Sequence, residues 1–157
     1  MTAGPEEAIV DVQGELVPRC ADLFVAVFNG PPWNESWTAG SASERLAEIT
    51  GTPGFVGVAL AAGNDVTGAA LGQAERWHTG RVFCLREMFV VPGLQHQGRG
   101  SRLLAAICER VPDAAGHYLL TDRGTPAHAF YEKHGYTEAR ARIMMTRRAA
   151  RPGRVTQ

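Results

Sequence analysis

The run from Glu87 to Leu104 constrains this chain more than any other part of it. Glu87-Met88-Phe89-Val90-Val91 reads as a buried apolar strand. A short glycine-containing loop follows, and a helix opens directly on that loop. Such a connection sets a row of backbone N–H groups beside the positive end of a helix dipole, an arrangement suited to a phosphate group. The spacing Gln95-x-x-Gly98-x-Gly100 narrows the choice. It is not a P-loop, because no Gly-Lys-Ser/Thr follows to supply a lysine and a magnesium ligand. Nor is it the dinucleotide fingerprint, which needs three glycines spaced G-x-G-x-x-G.

At 157 residues the chain fits one domain with a continuous core. Sixteen basic and sixteen acidic residues cancel, so no global charge is available to attract nucleic acid or an anionic membrane. Cys20, Cys84 and Cys108 are an odd number, each within an apolar stretch and with no C-x-x-C pair. They are expected to be small buried hydrophobes in a reducing cytoplasm. Met1 to Glu7 is short, polar and acidic, which predicts no secretory leader. The apolar stretches fall below the ~20 residues needed to span a bilayer.

Ala8 to Gln13 is a candidate first strand. Leu16, Val17, Cys20, Leu23, Phe24, Val27 and Phe28 recur at helical spacing and predict a helix over 16–28, closed by Asn29-Gly30. The rigid aromatic segment Pro31 to Trp37 follows. Ser41-x-x-Glu44 reads as a capping box for a second helix reaching about Thr50. Phe55 to Ala61 and Val66 to Trp77 form strands around the turn Gly63-Asn64-Asp65, and Val82 to Val91 is the next strand after His78-Thr79-Gly80. Leu103, Leu104, Ile107, Cys108 and Val111 give the helix after the loop one apolar face. Tyr118 to Thr121 is a short strand. Thr125-Pro126 starts a further helix and Lys133-His134-Gly135 stops it. Last strands are expected at Tyr136 and Ile143 to Thr146, then a basic, disordered tail over 147–157. This order predicts an α/β (α+β) domain over 1–146 with a mixed, largely antiparallel central sheet flanked by helices.

A second segment, Thr125-Pro126-Ala127-His128-Ala129-Phe130-Tyr131-Glu132-Lys133-His134-Gly135-Tyr136, is similar to the A-x-x-F-Y-x-x-x-G-F helix and turn near the end of GNAT domains. The loop Gln95-x-x-Gly98-x-Gly100 resembles the Q/R-x-x-G-x-G/A pyrophosphate loop of the same superfamily, the acetyl-CoA-dependent N-acetyltransferases. Both lie in the family's order and separation. The segment Phe28 to Trp37 resembles an uncharacterised bacterial subgroup.

The resemblance implies the GNAT fold and acetyl-CoA as co-substrate. It implies that backbone groups of Met88, Phe89 and Val90 pair with the pantetheine arm. It assigns the pyrophosphate to the loop Gln95, His96, Gln97, Gly98, Arg99, Gly100 and Ser101, with Arg99 and Arg102 adding charge at the rim. It aligns Tyr131 with the family's tyrosine, which protonates the leaving thiolate; a phenol of ordinary pKa near ~10 is a suitable donor. Gly124 departs from the pattern, standing where many members carry an Asn that contacts the cofactor; His128 or Thr125 is a candidate replacement.

Glu87, a carboxylate in an otherwise apolar strand, is the candidate general base, since burial raises a carboxyl pKa into a useful range. An ion pair with Arg86 or Arg76 is the competing reading, and Glu75, His78 and Glu35 are alternative bases. Trp33, Asn34, Glu35 and Trp37 are candidates for the acceptor pocket, where two indoles and a carboxylate would suit a cationic amine; equally, the tryptophans could anchor the loop. No pair of the five histidines has a zinc-site spacing, so no metal is expected. The expected reaction moves acetyl to a primary amine of a small molecule by direct attack in a ternary complex. Alternatives are a protein or peptide acceptor and a non-catalytic acetyl-CoA sensor. A homodimer is among the assemblies the family resemblance allows.

Overall fold

A computed structural model describes residues 6–149. They form two compact units, one ending at Thr121 and the other starting at Asp122.

The first unit opens with β1 (Ala8–Asp11) and α1 (Leu16–Phe28). The helix buries Cys20, Leu23, Phe24, Val27 and Phe28 on the stripe that the spacing predicts. The second helix, α2 (Ala39–Thr50), buries Ala42, Leu46 and Ile49. Its cap is Thr38 rather than Ser41. The Thr38 hydroxyl accepts from the Ser41 N–H at 3.0 Å, and the Thr38 N–H donates to the Ser41 hydroxyl at 3.0 Å. An N-cap needs a non-helical backbone. Thr38 has one (φ −92°, ψ 162°), whereas Ser41 already lies inside the first turn.

Strands β2 (Phe55–Ala62), β3 (Asp65–Trp77) and β4 (Gly80–Val90) follow as two consecutive hairpins, and the sheet order is β1-β2-β3-β4-β5. The first four strands are antiparallel. After β4, α3 (Arg99–Glu109) crosses over to β5 (Ala114–Leu119), which runs parallel to β4. A parallel neighbour requires such a crossover. Alternation divides the two faces. Ala59, Ala69, Leu71 and Phe89 join the core under α1 and α2. Gly68, one residue out of phase, faces Leu103 of α3, whose Cδ1 lies 2.9 Å from where a Cβ would be.

Two irregularities of this sheet position the site. Leu71 pairs with Glu87 but Gly72 pairs with Leu85, so Arg86 is an extra residue bulged out of β4. In addition, β5 follows β4 only from Arg81 to Leu85, while β4 continues to Val90 along β3. Beyond Leu85 one backbone edge of β4 therefore has no strand partner among the described residues. β5 also begins earlier and ends earlier than the expected 118–121.

The second unit contains α4 (Pro126–Lys133), capped by the Thr125 hydroxyl, which accepts from the His128 N–H at 3.2 Å. Gly135 ends it at φ +89°, the left-handed conformation that a glycine adopts without strain. The strands expected at Tyr136 and 143–146 are absent among the described residues. Ile143, Met144 and Met145 are 70–85% exposed. Their apolar run has a strand's composition, but a strand exists only where a neighbour completes its ladder. Of the expected tail, 147–149 are irregular and 150–157 lie outside the described residues.

The bulge brings β3 and β4 into close contact at Gly72, where an added Cβ would stand 2.4 Å from Phe83 Cζ and 2.5 Å from the Cys84 carbonyl oxygen. Gly72→Ala is expected to lower stability by about 2–3 kcal/mol in urea unfolding. Gly116→Ala, with nothing within 4 Å of its Cβ, should change it by less than about 0.5 kcal/mol.

Candidate functional site

The unpartnered edge of β4 leads into the glycine loop. The Val91 N–H still donates to the Thr67 carbonyl at 2.8 Å, after which the chain turns and the Leu94 N–H donates to the Val91 carbonyl at 3.1 Å. The Gln95 side chain reaches back, its amide donating to the Val90 carbonyl at 3.3 Å. His96 (φ +64°) and Gly98 (φ +79°) both take left-handed backbone, and Gly98 is the N-cap of α3. The first helical bond runs from the Arg102 N–H to the Gly98 carbonyl at 3.0 Å. The amides of Arg99 and Gly100 precede it and have no intrahelical acceptor. A Cβ on Gly98 would meet nothing within 4 Å, so the space beside this glycine is open.

Arg99 and Arg102 are not loose at the loop's rim. Both converge on Glu7, which precedes β1: Arg99 Nε lies 3.0 Å from Oε1 and Arg102 Nη1 lies 2.9 Å from Oε2. The Thr67 hydroxyl also donates to Oε1, and the Gln97 side chain accepts from Arg99 Nη1 at 2.8 Å. Burial alone would raise the Glu7 carboxyl, but the bonds from Thr67 and Arg99 and the charges of Arg99 and Arg102 bring it below the ordinary carboxylate range. Nothing in the sequence pairs Glu7 with partners more than ninety positions away.

On the α1/α2 face, Glu87 is half-buried and meets Arg45 of α2, whose Nη2 and Nε lie 2.9 and 3.3 Å from Oε1. The partner is thus Arg45 rather than Arg86 or Arg76. Burial pushes the Glu87 carboxyl up and the charge of Glu35 adds to that, while Arg45 and Arg86 pull it partly back. Beside this pair lies a cleft of about 400 Å³ lined by Arg45, Glu75, Cys84, Arg86, Tyr118 and Leu120 among others. The Tyr118 hydroxyl lies 2.9 Å from both Glu75 oxygens, and Trp77 Nε1 donates to Glu75 Oε2 at 3.1 Å. Burial raises the Cys84 thiol, and burial with the Cys84 and Glu75 contacts raises the Tyr118 phenol. Arg45 and Tyr118 escape sequence reading, since each joins the cleft only through packing. His78, by contrast, lies in the exposed turn between β3 and β4.

The aromatic loop is held to α1. Asn29 Nδ2 donates to the Trp37 carbonyl at 2.9 Å and its Oδ1 accepts from the Trp37 N–H at 2.8 Å. The Trp37 ring stands edge-on to Phe24 at 4.9 Å, and its indole N–H donates to Glu35. Trp33 rests against Phe28 at 5.2 Å with 39% exposure. Asn34 takes φ +48° to make this turn.

Within the second unit, Tyr131 is half-buried on α4, its ring 5.3 Å from Phe130 and 5.6 Å from Tyr136. Gly124 takes φ +78°, and its N–H donates to His128 Nδ1 at 3.1 Å. Thr125 and His128 are therefore both engaged in starting the helix.

Among the described residues no three His, Cys, Asp or Glu side chains are grouped as a metal site requires. No helix among them is long and apolar enough to cross a membrane.

Residues 52–138 match the family model of the acetyltransferase (GNAT) domain. The match takes in more than half of the sequence, and the chain belongs to the GNAT acetyltransferases. No curated protein matches it in sequence. Solved structures share its fold. The aminoglycoside N-acetyltransferase AAC(6')-Iy, solved with CoA, is similar over 96% of this chain and 99% of its own, at 16% identity and a TM-score of 0.74. The integron cassette protein VCH_CASS6 of V. cholerae is similar over 93% and 94%, at 14% identity and 0.76. The aminoglycoside acetyltransferase meta-AAC0020 from an uncultured soil metagenomic sample, solved with sisomicin, is similar over 92% and 97%, at 14% identity and 0.68.

Two outcomes test these charge assignments. A depressed carboxyl stabilises the fold above its ordinary pKa and loses that contribution as the pH falls through the depressed value. Glu7→Gln is expected to cost on the order of 1 kcal/mol in urea unfolding at neutral pH, with the difference closing in strong acid. For Glu87, removing Arg45 removes a lowering influence. Arg45→Met should move the Glu87 carboxyl further up in a carbon-detected NMR titration; an unmoved titration would detach Arg45 from it.

Proposed function

We propose that the protein transfers an acetyl group from acetyl-CoA to a primary amine of a small molecule, by direct attack of the amine in a ternary complex. The observation that carries this reading is the free edge of β4 beyond Leu85, running straight into a glycine loop at the start of α3. An unpaired strand edge can take an extended amide-bearing arm as an added strand, through backbone hydrogen bonds. On that basis Met88, Phe89 and Val90 receive the pantetheine arm, and the amides from His96 to Ser101 receive the pyrophosphate. The open space in front of Gly98 supports that fit. AAC(6')-Iy having been solved with CoA supports it independently.

Attack on a thioester needs a neutral amine. Glu87, with its carboxyl raised by burial, accepts the amine's proton directly or through water. An N–H of the free edge near Phe89 or Val90 donates to the carbonyl oxygen as negative charge develops there. Tyr131, assigned by its motif, gives a proton to the departing thiolate. The acetyl-to-nitrogen bond forms as the acetyl-to-sulfur bond breaks, with no acetyl-enzyme between them.

Thiol release from acetyl-CoA should exceed the rate without amine for one class in a panel of amino acids, polyamines, aminoglycosides and short peptides. Glu87→Gln is expected to lower kcat by about 10²–10⁴-fold and to remove the acid limb of the pH profile, leaving the KM for acetyl-CoA near its wild-type value. Tyr131→Phe should lower kcat by about 10²-fold. Acetyl-CoA binding without release across the panel would point to a sensor instead.

A further inference from the structure

The charged groups around the cleft are unequally satisfied. The Glu75 carboxylate has both oxygens engaged by the Tyr118 hydroxyl and one of them also by Trp77. Arg45 commits Nε and Nη2 to one oxygen of Glu87. Arg86 lines the same cleft and is exposed, yet makes no hydrogen bond or ion pair among the described residues. The bulge puts it there: Arg86 is the one residue between Glu87 and Leu85 that has no partner on β3.

An unpaired guanidinium at a small cleft is a receptor for a planar anion. Its fork of N–H donors matches a carboxylate in a bidentate way, and the match is stronger where water is partly excluded. A polycation would instead meet two guanidiniums, Arg45 and Arg86, and find Glu75 already engaged. The remaining acceptor nearby is the second oxygen of Glu87, which Arg45 leaves free. The cleft thus offers a cationic group for an anion and, beside it, a carboxylate oxygen for an amine. Its volume of about 400 Å³ suits a small molecule.

We propose that the acceptor is a small amine that also carries a carboxylate, an amino acid or close relative, and that Arg86 receives that carboxylate. This rests on the transfer reading above and sets the acceptor class for it. Arg86 selects the acceptor, and with the carboxylate held there the amine is left to approach Glu87, the next residue along β4.

The test compares amino acids with their own decarboxylated amines, phenylalanine with phenethylamine for example, and with spermidine, in both thiol release and calorimetric binding to the CoA-saturated protein. The expected result is at least a tenfold advantage in kcat/KM for the carboxylated member of a pair. Arg86→Ala should collapse that ratio toward one by raising the acceptor KM, and Arg86→Lys should restore part of it. The acetyl-CoA KM reports whether either variant disturbs the rest of the site. Preference for phenethylamine or spermidine, or a ratio unchanged in Arg86→Ala, would overturn the assignment while leaving acetyl transfer intact. Amino-acid binding that depends on Arg86 without thiol release from any amine would overturn the transfer reading and the acceptor assignment with it, leaving Arg86 as a carboxylate-binding residue only.

Discussion

The parting of β5 from β4 after the Leu85–Leu119 pair is the constraint on which the rest of the site depends. Up to that pair β4 has a neighbour on both edges. Beyond it, β3 alone continues, and the backbone groups of the opposite edge require a partner from elsewhere. The bulge at Arg86 falls at the same point. It shifts the alternation of β4 so that Glu87 and Phe89 stay under α1 and α2, and it sets Arg86 at the cleft. Strand, bulge and loop form one continuous path from cleft to helix terminus.

Charge is distributed along that path in two separate groups. On one face Glu7 gathers Arg99 and Arg102 at the beginning of α3. On the other, Arg45 meets Glu87. These pairs differ in their effect on the carboxylate. Glu7 has two cations and a hydroxyl, enough to overcome burial, whereas Glu87 has one strong partner and remains above its ordinary range. A lowered carboxyl favours the ionised form that orders cations; a raised one holds a proton more readily, as a proton-transfer group must.

Much of this was legible beforehand. The helix over 16–28 followed from its apolar spacing, and the hairpins followed from alternating strands around glycine turns. These signals act over a few residues, so tertiary contacts seldom overturn them. Where the reading failed, the deciding interaction was not local. Ser41 has a cap's composition, but Thr38 holds the extended backbone that a cap requires. Ile143 to Thr146 read as a strand, but no described strand lies alongside to make them one. Arg45 and Tyr118 carry no sequence signal of a site because each is an ordinary member of its own element.

The sequence by itself determined most of the elements up to the last helix, their order and the family, because periodicity and glycine spacing are short-range and the two family motifs are contiguous. Only the tertiary structure decided which charges meet. Glu7 and Arg102 lie 95 positions apart, and Arg45 and Glu87 lie 42 apart. Such pairings are set by how the sheet and helices stack, a geometry that no window of neighbouring residues contains. It also decided where β5 leaves β4, since the length of a ladder belongs to two strands at once.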